Sequence, residues 1–565
     1  MPLLKRISTF LFTTFDRLLL AALILFLVFI YKVRITPPTV NSTLTIDSFT
    51  REKVSENHYK IDDSWLKKNE FGIWEMYLEG EPYERGLKYG ILAKEIIESQ
   101  EESFVNQLNE MIPSLFFQKF LTGFIGWMNR DMDEFIAQEN LEEIYGISKS
   151  FSNKYDYIGP KLYRILYYHA AHDIGHALAD LRIVGCTSFS VNNDYSADGQ
   201  LLLGRNFDFY MGDDFSKDKL LLFVKPNKGY GFATYSWAGF TGVVSGMNEK
   251  GLSITLNAAK SDIPSSAKDP ISLLAREILQ YAKNIDQAIA IAVERKTFVS
   301  ESLMVGSAED NRTVIIEKTP TKIDVYDNQK NLVVCSNHYQ SNLFINDELN
   351  IENIDMTDSK FRYDRMLNLI EANKPLNHTK TATILRDQLG LGNKDIGLGN
   401  PKSINQLIAY HSVIFKPTSR QMWISTYPYQ MGEFLCYDLS SIFSDSAKLN
   451  GLTIDSLTVA KDKFIESEAF RNFSYYKQTK VELLKNIMFG KELNLEDSQL
   501  KKFIDSNPES YETYYNLGRY YQGRNNFCEA LNMFQKSLTK EVASKAETIS
   551  IQEMIQSLTL KCNLK

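Results

Sequence analysis

Short apolar runs separated by turn formers fill the middle of the chain. Leu220 to Val224, Tyr230 to Trp237, Gly242 to Met247 and Leu252 to Leu256 are such runs. They are bounded by turns such as Asn227-Lys228-Gly229 and Asn248-Glu249-Lys250-Gly251, and this spacing predicts strands. From 270 to 297 the apolar residues Ile271, Leu274, Ile278, Ile285, Ile289 and Ile291 recur at helical spacing. Strand-like runs return at Leu303–Gly306, Thr313–Glu317, Lys322–Val325 and Leu332–Cys335. The order strands, helices, strands predicts two sheets with helices packed outside them, a layered α+β domain. Asp358 to Arg365 opens a further helix through Leu367 and Ile370. Residues 375–402 are rich in Asn and Gly and read as loop, and His411–Phe415 and Gln421–Thr426 read as closing strands.

The flanks have a different pattern. Leu18 to Tyr31 is apolar without a charge, while Lys5, Arg6, Lys32 and Arg34 lie to either side. No small-residue cleavage site follows. Residues 1–35 are therefore expected to be an uncleaved signal-anchor, a single transmembrane segment with the catalytic body outside the cytoplasm, periplasmic or lumenal. Residues 36–60, with Pro37-Pro38, read as a linker, and 61–185 as a mostly helical segment with one strand from Gly72 to Leu78. Residues 446–565 read as helical throughout. There Tyr514, Leu517, Gly518, Tyr521, Ala530 and Phe534 fit the spacing of one tetratricopeptide repeat. A helical cap and a partner-binding surface are both open readings, since such units need neighbours to bury their faces.

At 565 residues the chain has room for two or three domains. A net charge of −7 argues against a nucleic-acid partner. The cysteines at 186, 335, 436, 528 and 562 form neither a disulfide framework nor a zinc spacing. His169, His172 and His176 share one helical face beside Asp173, but the spacing is not that of a metalloprotease and no further ligand accompanies it. No metal and no cofactor are expected.

One stretch carries the candidate chemistry. Cys186 opens a β run, Asn193, Asp194, Asp198 and Gly199 supply a turn, and a second β run ends in Gly204-Arg205-Asn206-Phe207-Asp208. A hairpin of this shape brings Arg205 and Asp208 back beside Cys186. A guanidinium favours the thiolate, which is the nucleophile. Taken alone, a cysteine at a strand start is as readily a core residue.

The stretch resembles the start of the mature chain in cysteine-type N-terminal-nucleophile (Ntn) hydrolases. It is most similar to the isopenicillin N acyltransferase-like family (peptidase C45), which is related to bile salt hydrolases and penicillin V acylases. The resemblance begins upstream, at Gly80-Glu81-Pro82-Tyr83-Glu84-Arg85-Gly86, and runs over about residues 72–440. It continues through Met247 to Ala258, where Asn257 matches an oxyanion-hole asparagine. Val334 to Tyr339 follows, where Asn337 matches a second one. Ser359-Lys360-Phe361-Arg362 matches a late arginine, with Arg365 as the rival register.

The resemblance implies a four-layer αββα sandwich over 186–445, preceded by a pro-segment over 61–185 and followed by the helical extension. It also implies that the chain cuts itself between Gly185 and Cys186. The new α-amine would then be the base for its own thiol, and Arg205, Asp208, Asn257, Asn337 and Arg362 would complete the site. The implied activity is hydrolysis of a linear amide through an acyl thioester, or transfer of the acyl group to an amine. Trp237 and Phe240 are candidates to line an apolar acyl pocket. The competing reading is a membrane-anchored interaction protein with an inactive nucleophile fold and a partner-binding tail.

Overall fold

A computed structural model of the chain describes residues 2–112, 114–177, 185–260, 267–444 and 451–563, with side chains described outside 2–16, 111, 115, 171–177 and 563. The strands in chain order are β1 (Glu52–Ser55), β2 (His58–Ile61), β3 (Ser64–Lys68), β4 (Trp74–Gly80), β5 (Thr187–Asn193), β6 (Gly199–Phe207), β7 (Lys219–Pro226), β8 (Phe232–Trp237) and β9 (Ser245–Asn248). They continue with β10 (Leu252–Ala258), β11 (Glu301–Ser307), β12 (Arg312–Lys318), β13 (Ile323–Tyr326), β14 (Leu332–Cys335), β15 (His411–Lys416), β16 (Gln421–Ser425) and β17 (Phe434–Asp438). Among the described residues they form two sheets. One has the order β1-β2-β3-β4-β7-β8-β9-β10-β11-β12-β13, the other β14-β5-β6-β15-β16-β17.

Alternation along the strands makes the layers. Leu221, Phe223, Tyr235 and Met304 of the larger sheet pack against Leu203, Val413, Phe415 and Ile424 of the smaller. Their neighbours Leu220, Leu222, Ile254 and Val305 turn the other way, onto helices that include Pro82–Leu92, Gln138–Ser148, Lys161–Ala177 and Ile271–Tyr281. On the far side Phe189, Leu202, Ile414 and Trp423 meet the helices Ser359–Asn373 and His378–Leu385. The result is a helix–sheet–sheet–helix sandwich, as the order of runs predicts.

Two expectations for the first 185 residues need correction. Part of residues 36–60, read as linker, forms β1 and most of β2, and the segment from 61 on, read as mostly helical with one strand at Gly72–Leu78, supplies β3 in addition to that expected strand, which is β4. β4 pairs in parallel with β7, from Trp74 opposite Leu220 to Gly80 opposite Pro226, so this segment is built into the larger sheet. A buried ion triad fastens it further. Glu143 accepts hydrogen bonds from Arg85 at 2.5 Å and from Arg276 at 2.6 Å, all three side chains being buried. Burial alone would raise the Glu143 carboxyl, but the two guanidiniums hold it down to about 2. Gly86 allows the helices to meet, since a Cβ there would lie 2.1 Å from the Glu143 carbonyl oxygen.

The single-pass anchor is overturned. Among the described residues no helix is long and apolar enough to cross a membrane. The charge-free run Leu18–Tyr31 would span only about 21 Å as a helix, against a hydrocarbon core of about 30 Å. It lies within the helix Pro2–Lys32, whose end packs on the protein: Phe29 stacks on Trp127 with ring centroids 6.0 Å apart, and the Ile35 amide donates to the Tyr163 hydroxyl.

Beyond residue 450 the chain is helical, and its apolar face is occupied by the sandwich. Phe473, Tyr476, Phe503 and Tyr520 share one cluster with Leu407 and Met431. Within this region Gly518 lies against the Phe534 ring. The helices Phe527–Leu538 and Lys545–Asn563 bring Cys528 and Cys562 together in a disulfide, a pairing that their 34-residue separation does not suggest. The remaining cysteines, 186, 335 and 436, are buried thiols.

The triad yields a test. Glu143→Gln leaves two buried guanidiniums facing a neutral group, and removing one partner of such a network costs about 3–5 kcal/mol. The expected outcome is a large drop in thermal midpoint; a variant melting with the wild type would show that the triad contributes little.

Candidate active site

The β5–β6 hairpin fixes the site. Thr187 pairs with Asn206 and Ser188 with Arg205, and Asn193 and Gly199 turn the chain at φ values of 47° and 73°. The Gly185 amide donates to the Asp208 carbonyl oxygen at 3.0 Å, which closes the open end of the hairpin around Cys186. Cys186, Arg205 and Asp208 are all buried there.

Arg205 is held through both of its terminal nitrogens, while its buried Nε has no hydrogen-bond partner among the described residues. Its Nη2 donates to Cys186 Sγ at 3.5 Å and to the Leu256 carbonyl oxygen at 2.5 Å. Its Nη1 donates to Ser245 Oγ, which in turn lies 2.9 Å from His411 Nε2. The guanidinium carbon sits 4.4 Å above the Phe207 ring centroid, a cation–π contact. Burial pushes His411 well below its ordinary pKa, with help from Arg205 and Lys219, so the imidazole is neutral. With Ser245 Oγ accepting from Arg205, its own proton is free to point at Nε2. Ser245 and His411 thus fix the end of the guanidinium remote from the thiol.

Burial outweighs the guanidinium at the thiol. Burial raises the Cys186 thiol to about 11, and the pull of Arg205 offsets this only in part, while Asp208 adds to it. The group at rest is therefore a thiol, not a thiolate. Asp208 is raised by burial to about 8, against the pull of Arg362 and Arg205. Its two carboxylate oxygens are buried and accept no hydrogen bond among the described residues. Arg205 is the hydrogen-bonding side chain at the thiol among those residues, and no imidazole there bonds to it. A cysteine–histidine pair is thus not what these residues form.

Arg362 reaches across the site. Its Nη1 donates to the Cys186 carbonyl oxygen at 2.7 Å and to Thr187 Oγ1 at 2.8 Å, and its Nη2 to Asn337 Oδ1 at 2.7 Å. Arg365, one turn on, instead pairs with Asp387. Asn337 Nδ2 donates to the Ala258 carbonyl oxygen at 2.9 Å, and Asn257 Nδ2 to that of Cys335 at 3.3 Å. The two amides thereby stitch the ends of β10 and β14 together, and each retains a second N–H. Ser188 Oγ donates to Asn257 Oδ1 at 2.8 Å, which fixes that amide's orientation. All six predicted residues, Cys186, Arg205, Asp208, Asn257, Asn337 and Arg362, fall in one neighbourhood.

Of the histidine cluster, His169 is described, and it bonds elsewhere. His169 is buried, with Nδ1 2.7 Å from the Ile165 carbonyl oxygen and Nε2 3.0 Å from Thr241 Oγ1. The side chains of His172, Asp173 and His176 lie outside those described. Sequence reasoning missed Ser245, His411 and Gln406. Each is an ordinary strand or loop residue locally, and only strand register brings the first two to Arg205: Thr255 faces Ser245, and His411 faces Phe207.

Comparisons with known proteins bear on this arrangement. The chain is 25% identical over 340 residues to an uncharacterized protein of Archaeoglobus fulgidus, covering 53% of this chain and 55% of that one. It is 25% identical over 287 residues to protein dcd1A of Dictyostelium discoideum, covering 46% and 61%. The chain thus spans little more than half the length of these relatives. Among solved structures, a Caenorhabditis elegans ortholog of N-acylethanolamine-hydrolyzing acid amidase aligns at TM-score 0.29 and 17% identity, over 41% of this chain and 93% of that one. A mutant conjugated bile acid hydrolase from Clostridium perfringens aligns at 0.32 and 14%, over 45% and 93%. Penicillin V acylase from Agrobacterium tumefaciens aligns at 0.32 and 16%, over 47% and 89%. Residues 195–425, which hold Arg205, Asp208, Asn257, Asn337 and Arg362, match the family model for acyl-coenzyme A:6-aminopenicillanic acid acyl-transferase.

Proposed function

We propose that the chain is a cysteine N-terminal-nucleophile enzyme that cuts itself between Gly185 and Cys186 and then hydrolyses a linear amide, or passes its acyl group to an amine. The observation that carries this reading is the buried Asp208 carboxylate, which accepts no hydrogen bond among the described residues although it lies beside the thiol. An α-ammonium released at Cys186 would give it a partner and draw it back to its charged form. The match of residues 195–425 to an acyltransferase family supports the same chemistry.

In the self-cleavage step the Cys186 sulfur bonds to the Gly185 carbonyl carbon. The C–N bond breaks, and the thiol proton ends on the Cys186 nitrogen. Water then splits the thioester, placing hydroxyl on Gly185 and hydrogen on sulfur. In the mature site the free amine takes the thiol proton as the sulfur attacks the substrate carbonyl. Arg205 favours the sulfur anion, Asp208 positions the amine, and the spare N–H groups of Asn257 and Asn337 serve the oxyanion. Arg362 ties the Cys186 carbonyl oxygen to Asn337 and so keeps nucleophile and oxyanion donor in register. Water or an amine takes the acyl group from the thioester.

The acyl group is apolar in this reading. A pocket lined by Ile97, Phe104, Phe209, Phe215, Trp237 and Phe240 lies beside the site, with Glu101 and Tyr168 as polar groups on its wall. Phe207, under the Arg205 guanidinium, stacks on Phe209, which stacks on Trp237, so a chain of aromatic contacts runs from that guanidinium to the pocket.

Intact mass under denaturing conditions tests the central step. Two fragments, the second beginning at Cys186, are expected from the wild type and one whole chain from Cys186→Ala, which should also lack turnover; full activity in Cys186→Ala would end the mechanism. Asn337→Ala should lower kcat by about 10²–10³, the cost of one oxyanion donor, with the sandwich still folded by circular dichroism. Arg205→Met removes the cation that opposes burial at the thiol. Each pKa unit so added is tenfold in thiolate, and a gel time course should show self-cleavage slowed by about tenfold or more.

A further inference from the structure

The bond after Gly185 is pinned at three points, and one of the pins is a side chain that the mechanism above does not use. The Gly185 amide donates to the Asp208 carbonyl oxygen, and Arg362 donates to the Cys186 carbonyl oxygen. The third pin is Gln406, whose Nε2 donates to the Gly185 carbonyl oxygen at 3.0 Å. Gln406 is 4% exposed, so this amide is withdrawn from water. It also lies flat against the glycine: a Cβ on Gly185 would be 2.6 Å from Gln406 Nε2 and 3.3 Å from its Cδ. Residue 185 is thus a glycine where this amide needs the space.

We propose that Gln406 is the oxyanion donor of the self-cleavage step, a catalytic residue for maturation that the C-terminal helices hold in place. This rests on the reading that Cys186 attacks Gly185. As the sulfur bonds to the carbonyl carbon, the Gly185 oxygen gains negative charge, and Gln406 Nε2–H is already aimed at it. The charge returns to the carbonyl when the C–N bond breaks, and Gln406 ends the step unchanged. Asn257 and Asn337 donate elsewhere, to the carbonyl oxygens of Cys335 and Ala258. The scissile carbonyl and the substrate carbonyl therefore have different donors.

The loop that carries Gln406 leans on the tail. The next residue, Leu407, has φ 52°, a left-handed conformation that costs a branched side chain energy and must be held from outside. Asn405 Oδ1 accepts from the Leu407 amide at 2.9 Å. The Leu407 side chain is fully buried in one cluster with Phe473 and Tyr476 of the helix Glu468–Phe489. Earlier in the loop, Asn507 brackets Leu398, accepting from its amide at 3.0 Å and donating to its carbonyl oxygen at 2.9 Å. Gly399 sits 3.1 Å, as a virtual Cβ, from the Phe473 ring. The helices beyond residue 450 thus act on the cut site through this loop.

The test is a time course of cleavage of the full chain, read by intact mass, for wild type, Cys186→Ala, Gln406→Met, Gln406→Glu and Phe473→Ala. Gln406→Met keeps the length and removes the donor, and should slow cleavage by about 10²–10³, as loss of one oxyanion donor does. Gln406→Glu keeps the shape but opposes the oxyanion with its own charge, and should be slower still. A merely space-filling Gln406 predicts the reverse, the isosteric Glu being the milder change. Phe473→Ala, remote from the bond, should slow cleavage while Cys186 and its partners are untouched. Cleavage at the wild-type rate in Gln406→Met, with Cys186→Ala whole, overturns this inference alone. A wild-type chain that stays whole, or a Cys186→Ala chain that is cut, overturns the self-cleavage reading and this inference with it.

Discussion

A guanidinium without water is the constraint around which this site is built. Arg205 is fully buried, and a buried cation is tolerated only where fixed dipoles replace its hydration. Here they come from four elements: the Leu256 carbonyl oxygen at the end of β10, Ser245 at the start of β9, His411 behind it on β15, and the Phe207 ring on its own strand. Those elements belong to both sheets. Placing the charge therefore requires the two sheets to be packed in register, and the thiol partner comes with it at 3.5 Å. The same burial that makes Arg205 demanding makes Cys186 a reluctant thiol. A lowered resting pKa is therefore not what these residues supply at Cys186.

Much of the fold was legible because its strands are short, apolar and closed by turn formers. The runs from Leu220 to Leu256 and from Leu303 to Cys335 fall on β7 to β14, and the helical spacing between them falls on the helices Ile271–Tyr281 and Ile285–Glu294. What escaped was the strand character of residues 52–68. Glu52-Lys53-Val54-Ser55, at the sheet's edge, and His58-Tyr59-Lys60-Ile61, next to it, are polar strands whose pairing depends on β3 and β4, not on their own composition. The apolar run near the N-terminus carried a strong compositional signal, but a helix must also have the length to span.

The candidate site was legible to the extent that a hairpin encodes it. Cys186, Arg205 and Asp208 are near in sequence, and the turn at Asn193 to Gly199 brings them together. Asn257, Asn337 and Arg362 came through resemblance, since nothing local marks an asparagine at a strand end as more than a turn former. The register question between Arg362 and Arg365 turns on a helical rotation: the helix Ser359–Asn373 sends one to Cys186 and the other to Asp387. Ser245, His411 and Gln406 have no signature at all, because each acquires its role from a neighbour 40 or more residues away along the chain.

The parallel pairing of β4 with β7 has a consequence for how maturation could be seen. Four strands of the larger sheet and two members of the Arg85–Glu143–Arg276 triad lie before residue 185, and the third lies after it. A chain cut there would keep its hydrodynamic size and its sheet, because the two pieces share one interior. The pieces could not exchange between molecules without unfolding, so each molecule would keep the N-terminal piece with which it was synthesised. Maturation of this kind is silent to any method that observes the native particle, and the protein's history would be written only in its covalent chain.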